Sequence, residues 1–145
     1  MLITVIIPCY NEKETIKEIV DKILALKNIN LQIIIVDDFS YDGTEEILKD
    51  KIYNKVDKII FHQKNLGKGA AIKSSINYIK GDIVIIQDAD LEYEPQDYFN
   101  LIEPFKDKSI NVVYGSRVLG RNKQEKSNFM KKFRIFGNFV LTKIS

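Results

Sequence analysis

Five short β-rich runs, four of them separated from the next by a helical stripe and each closed by a polar cluster, constrain this chain most. The runs are Thr4 to Ile7, Leu31 to Val36, Lys58 to Phe61, Ile83 to Gln87 and Asn111 to Tyr114. Strand one is expected to halt at Pro8, because proline cannot donate to a ladder. Glu12 to Leu26 carries Ile16, Ile19, Val20, Ile23 and Leu24 at helical spacing, with acidic residues in its first turn. Asp42-Gly43 reads as a turn, and Thr44 as the cap of a helix reaching about Lys51. Further helices are expected from about Ala70 to Ile79 and from Gln96 to Phe105, the latter opened by Pro95. Strand and helix in alternation predict an α/β fold, three layers deep, with a mostly parallel sheet between helices. Ligands of such sheets bind outside the carboxyl ends of the strands. The polar clusters PCYNE, DDFSYDG, NLGKG, DADLE and GSR all fall at those ends.

Composition narrows the classes further. A chain of 145 residues, 45% hydrophobic and 29% charged, suits one globular domain and argues against disorder. Its longest apolar runs, such as Ile33 to Val36 and Ile83 to Ile86, are far too short to span a bilayer. Met1 leads straight into a strand with no visible signal peptide. The single cysteine, Cys9, excludes an internal disulfide and any multi-cysteine metal site. These absences lead to the expectation of a cytoplasmic protein. Charge is distributed unevenly: residues 1–116 sum to −5 and residues 117–145 to +7. A basic end interleaved with Phe129, Met130, Phe133, Phe136 and Phe139 suits an anionic surface or a phosphate substrate. A solvated helix with its aromatics in the core is the alternative.

Asp88-Ala89-Asp90 follows a buried strand directly. On an extended backbone, residues two apart point the same way, so both carboxylates can face one ion. Hard oxygen ligands favour Mg2+ or Mn2+, with substrate phosphates completing the shell and Glu92 as a third oxygen donor. The competing reading is a solvated acidic turn. Asp37 and Asp38 end strand two, where alternation lets one reach a ribose hydroxyl or base while the other caps the loop. Asp42 is read as a turn residue. Tyr10 can stack on a base and Glu12 can bond it; equally, Asn11 can cap a helix with Glu12 favoured by the dipole.

Asn65 to Gly69 is neither a Walker A loop nor a dinucleotide fingerprint, although a helix start with Lys68 suits an anion. A tight structural turn explains it equally well. His62 is read as a strand-end residue. Cys9 has no histidine nearby in the sequence and is not expected to be a nucleophile. Arg117 follows a Gly-Ser turn and can pair with a phosphate through two hydrogen bonds.

In order along the chain, VIIPCYNE, IIIVDDFSYDGT, NLGKGAAI, IVIIQDADLEYEPQDY and VVYGSR resemble the family 2 glycosyltransferases of the GT-A fold. The branch they are most similar to holds dolichyl-phosphate mannosyltransferases and polyprenyl-phosphate glycosyltransferases. GNFVLT, at Gly137 to Thr142, resembles the segment after the sugar-binding half in that branch. The resemblance implies that Pro8, Tyr10 and Glu12 contact the nucleotide, and that Val36 and Asp38 hold base and ribose. It implies that Asp88, Ala89 and Asp90 form the DXD motif, with Glu92 as a further metal ligand. Arg117 matches an arginine near the donor or acceptor phosphate, and Arg134 or Lys132 a second basic contact. Inversion at the anomeric carbon is likewise implied.

These readings together predict a GT-A core over residues 1–117. Residues 118–145 are expected to begin an incomplete acceptor-binding region next to the membrane. The expected partners are a GDP- or UDP-linked sugar, a polyprenyl phosphate and a membrane surface or membrane-anchoring protein, with no nucleic acid. The expected location is the cytoplasmic face of a membrane. A polyprenyl phosphate is already anionic near neutrality, whereas a hydroxyl acceptor needs a general base that the sequence does not offer. Three rivals remain at this point: transfer to a sugar hydroxyl, a silent donor-binding module, and a signalling receiver domain. The last would place its acidic pair after strand one, and here the pair follows strand two.

Overall fold

The computed structural model of the chain describes residues 1–115 and 141–143. Six strands form one sheet: β1 (Leu2–Cys9), β2 (Asn30–Asp37), β3 (Lys58–Phe61), β4 (Ile83–Ile86), β5 (Val112–Val113) and β6 (Leu141–Lys143). Their order is β3-β2-β1-β4-β6-β5. β1 pairs in parallel with β2 and β4, and β2 pairs in parallel with β3. β6 runs antiparallel between β4 and β5. The helices are α1 (Ile16–Leu24), α2 (Thr44–Ile47), α3 (Lys68–Ser75) and α4 (Tyr98–Ile102). A wider-wound turn, Leu48–Ile52, and a 3-10 turn, Tyr53–Lys55, extend α2.

The central strands are buried almost throughout, with successive side chains pointing to opposite faces, as a sheet covered on both sides requires. Ile3, Val5, Ile7, Ile33 and Ile35 face one side, where Ile16, Ile19, Val20 and Ile23 of α1 join them, with Leu48, Tyr98 and Phe105 from further along the chain. Ile34 and Val36 face the other side and meet Ala71 of α3. The expected three layers are present, with a large core on one face and a small one on the other.

Several expected boundaries move, each for a physical reason. Strand one does not stop at Pro8. The Gln87 N–H donates to the Ile6 carbonyl (2.9 Å), and the Asp38 N–H to the Cys9 carbonyl (2.9 Å). Ile6 therefore faces β4 and Cys9 faces β2. Pro8, two residues after Ile6, turns its missing N–H toward the side from which β4 has already departed. Helix α1 starts at Ile16 rather than Glu12, because Asn11 adopts a left-handed φ of 56° and a turn follows it. Asn11 is not its cap. Thr44 is the first residue of α2, not its cap: the Asp42 carboxylate receives the Thr44 N–H (3.0 Å) and hydroxyl (2.6 Å).

The end of the sheet opposite the strands' carboxyl ends is fastened by a buried polar cluster. The Thr4 hydroxyl donates to Gln32 Oε1 (2.7 Å), which also accepts the Lys80 N–H (2.9 Å). Gln32 Nε2 donates to the Tyr78 carbonyl (2.9 Å), and the Gly81 N–H to Thr4 Oγ1 (2.9 Å). Gly81 leaves no room for a side chain, since a Cβ there would lie 2.6 Å from the Thr4 nitrogen and 2.9 Å from the Leu2 carbonyl oxygen. Backbone atoms of the central strand cannot give way cheaply. Gly81→Ala is therefore expected to destabilise the chain by at least about 1–3 kcal/mol, read from urea unfolding. Wild-type stability in that variant would contradict this packing.

Candidate donor-binding site

The loops after β1, β2 and β4 and the start of α3 meet above the carboxyl ends of the strands, around an open pocket of about 250 Å3. Pro8, Tyr10, Glu12, Asp38, Asp88, Ala89 and Asp90 line it, together with Cys9, Lys68 and Ala71. Pockets that enclose a small ligand run to roughly 300–1,000 Å3. The described residues thus form a floor and walls rather than a closed chamber. Val36 is not among the lining residues; it is fully buried against the α3 side of the sheet. Glu92 does not line the pocket either. Arg117, Lys132 and Arg134 lie outside the described residues.

The backbone is strained where it turns away from the sheet. Asn11, Phe39 and Leu91, after β1, β2 and β4, have φ of 56°, 68° and 60°. Such conformations persist only where surrounding bonds hold them. The Asn11 N–H donates to Ser40 Oγ (2.9 Å), and Asn11 Oδ1 accepts the Tyr41 N–H (3.0 Å), tying the first loop to the second. Tyr10 packs edge-on against Tyr41 with ring centres 6.0 Å apart. The Glu12 N–H donates to Thr44 Oγ1 (2.9 Å), and its carboxylate accepts the Thr15 hydroxyl (2.6 Å).

Asp37 and Asp38 divide the work differently from the sequence reading. Asp37 receives the Ser40 N–H (3.2 Å) and hydroxyl (2.6 Å), so it caps the loop. Asp38 also holds a loop, a distant one: Oδ1 accepts the Leu66 N–H (2.9 Å) and Oδ2 the Gly67 N–H (2.7 Å). His62 Nδ1 sits 2.7 Å from Asp38 Oδ1, and its Nε2 lies 2.9 Å from the Ser74 hydroxyl. Burial pushes the Asp38 carboxyl up, but the Leu66, His62 and Gly67 donors outweigh it and hold it below its ordinary value. An ionised carboxylate offers about four acceptor positions. Three are filled, which leaves one on Oδ2 for a ligand hydroxyl. His62 is thus more than a strand-end residue, since it links β2 to α3. Its sequence signal was weak: one histidine just past a short strand.

Asp88 and Asp90 both line the pocket, but not by strand alternation. β4 ends at Ile86, and a turn at Ala89-Asp90 follows, with the Glu92 N–H donating to Asp90 Oδ1 (3.1 Å). Gln87, fully buried, braces this turn from beneath. Its amide donates to the Asp88 carbonyl (2.9 Å), and its Oε1 accepts the Tyr98 hydroxyl (2.7 Å). Asp88 Oδ1 pairs with the ammonium of Lys68. Among the described residues, no three acidic, histidine or cysteine side chains converge into a ready-made ion cage. Two pocket carboxylates, one of which, Asp88, already holds a cation, do fit a hard divalent ion whose remaining ligands come from a phosphate. Cys9 is 3% exposed, and burial, with Asp37 adding to it, raises its thiol pKa. It suits packing rather than attack.

An open α/β sheet with an acidic crevice outside the carboxyl ends of its strands belongs to the class of domains that take their ligands there. Within that class the chain belongs to glycosyl transferase family 2, whose pattern it matches over residues 4–143. It is 33% identical over 146 residues to a dolichol-phosphate mannosyltransferase of Pyrococcus furiosus, covering 100% of this chain and 41% of that protein. An undecaprenyl-phosphate 4-deoxy-4-formamido-L-arabinose transferase of Edwardsiella ictaluri is 33% identical over 116 residues, covering 77% of this chain and 35% of the relative. Among solved structures, the mannosyltransferase PcManGT of Pyrobaculum calidifontis, in complex with GDP-Man and Mn2+, superposes with a TM-score of 0.68 at 27% identity. That match covers 76% of this chain and 34% of the other. The chain thus spans well under half the length of these relatives, and the expected GT-A type of fold is present.

Proposed function

We propose that the protein transfers a sugar from a GDP- or UDP-linked donor to a polyprenyl phosphate, with Mg2+ or Mn2+ assisting departure of the nucleoside diphosphate. The observation that carries this reading is the pocket itself, where, among the described residues, four carboxyl side chains (Glu12, Asp38, Asp88, Asp90) and one ammonium (Lys68) form the lining. A crevice so acidic repels a diphosphate unless a divalent cation lies between them. Asp88 and Asp90 are the residues to hold that ion; once bound it supplies Lewis-acid stabilisation of the leaving group. Tyr10 offers a ring to the base, and Asp38 keeps an acceptor position for a ribose hydroxyl. The relatives named for dolichol and undecaprenyl phosphates support a lipid-phosphate acceptor, as does the net +7 of residues 117–145. Arg117 is the proposed phosphate contact, and the reaction is placed at the cytoplasmic face of a membrane. Among the described residues no helix is long and apolar enough to cross one.

The test incubates the chain with radiolabelled GDP- and UDP-sugars, Mn2+, and either a polyprenyl phosphate or a sugar acceptor. Label is expected in the lipid, and chelation is expected to abolish it. Label only in the sugar acceptor would redirect the reading to glycan hydroxyls. Donor binding without turnover would make the chain a silent module.

A further inference from the structure

Lys68 sits on Asp88, one of the two carboxylates assigned to the ion, and the donor-site reading leaves that contact unexplained. We propose that Lys68 is a built-in cation that holds Asp88 until the divalent ion arrives, then transfers to a phosphate oxygen of the nucleotide. The inference rests on the donor-site reading above and adds a residue and an order of events to it.

Three observations carry it. Among the described residues Lys68 is the only basic side chain lining the pocket, and its ammonium contacts Asp88 Oδ1 directly. Its root is fixed while its side chain lies half in solvent. Lys68 opens α3, and the two residues before it, Leu66 and Gly67, are clamped through their N–H groups by Asp38. Gly67 takes a φ of 88°, where a side chain would be strained, so the chain enters α3 at a set angle. The Lys68 side chain, by contrast, is 52% exposed, against 24% for Asp88. Four methylenes on a fixed base can swing an ammonium across the pocket without moving the backbone.

An ammonium and a divalent cation on one carboxylate repel each other, so an ion that takes Asp88 as a ligand drives Lys68 away from it. The displaced ammonium remains tethered beside the helix N-terminus, an end that itself favours anions. The diphosphate arriving with the ion is the group whose chemistry receives it. Lys68 thereby opposes binding of the bare ion and favours binding of the ion together with a nucleotide.

Two opposite effects follow from removing it. Lys68→Ala is expected to bind Mn2+ alone about two- to fivefold more tightly, the worth of one exposed ion pair. With Mn2+ saturating, the same variant is expected to bind GDP or UDP about tenfold more weakly, through loss of one charge-assisted phosphate contact. Lys68→Arg, which keeps the charge, is expected to restore most of the nucleotide affinity. Free Mn2+ followed by electron paramagnetic resonance and nucleotide binding followed by calorimetry read the two quantities separately. A merely structural lysine would weaken both or neither, and either result overturns the inference. Wild-type protein that binds no nucleotide with Mn2+ overturns the donor-site reading as well. Wild-type protein that binds, with a variant that matches it in both measurements, overturns the role of Lys68 alone.

Discussion

Asp90→Ala is expected to lose Mn2+-dependent nucleotide binding by about a hundredfold or more, because even residues one shell behind a metal ligand cost about 10–100-fold when removed. The loss should be selective. Asp90 is exposed and lies in a turn that Gln87 supports from below, so the variant is expected to fold with wild-type stability. Asp88→Ala should show the same loss, and it also frees Lys68 from its partner. Nucleotide binding that keeps its affinity and its metal dependence in Asp90→Ala would contradict the assignment. Binding calorimetry with GDP and UDP, with and without Mn2+, makes the comparison.

The second large effect concerns stability. Asp38→Ala removes a buried carboxylate that accepts from Leu66, Gly67 and His62, and is expected to cost about 2–3 kcal/mol at pH 7. The loss should depend on pH in a definite direction. The folded Asp38 carboxyl lies below its ordinary value of about 3.9. Its stabilising contribution is then fully present above about pH 4, and drains away as pH falls through the lowered folded value. Urea unfolding of wild type and variant should differ most near neutrality and converge in acid. Other carboxyls held low by hydrogen bonds, such as Asp42, are present in both proteins and cancel. A gap that widens on acidification would show that Asp38 is not the charged clamp described here. Nucleotide affinity is expected to fall too, since the Leu66-Gly67 loop sets the base of Lys68.

What was legible in the sequence was local. Apolar runs such as Ile33 to Val36, buried on both faces, announce sheet strands, and the polar clusters behind them announce the crevice. Asp88 and Asp90 could be singled out because they follow such a strand, although a turn rather than strand alternation brings them to the pocket. Contacts between distant segments were not legible. Whether Pro8 ends a strand depends on where β4 stops pairing, a fact of register and not of composition. That Asp38 also holds Leu66 and Gly67 is not legible, because nothing near it in the chain reveals them as partners. Val36, assigned to the base by family pattern, is buried beside Ala71 in the small core. Strand β6 had no local signature either. Leu141–Lys143 sits within a basic, aromatic stretch, and only its antiparallel pairing with β4 and β5 makes it a strand. His62 and Lys68 owe their interest to the same cause, since their partners lie 24 and 20 residues away.

The proposed reaction requires a divalent ion shared between the turn after β4 and a nucleotide diphosphate. A crystal of the chain grown with Mn2+ and GDP- or UDP-sugar, with diffraction collected at the manganese edge, tests this most directly. The predicted result is one anomalous peak bonded to carboxylate oxygens of Asp88 or Asp90 and to the diphosphate, with the Lys68 ammonium moved onto a phosphate oxygen. Nucleotide bound with no peak at that turn, or manganese bound elsewhere on the chain, would contradict it.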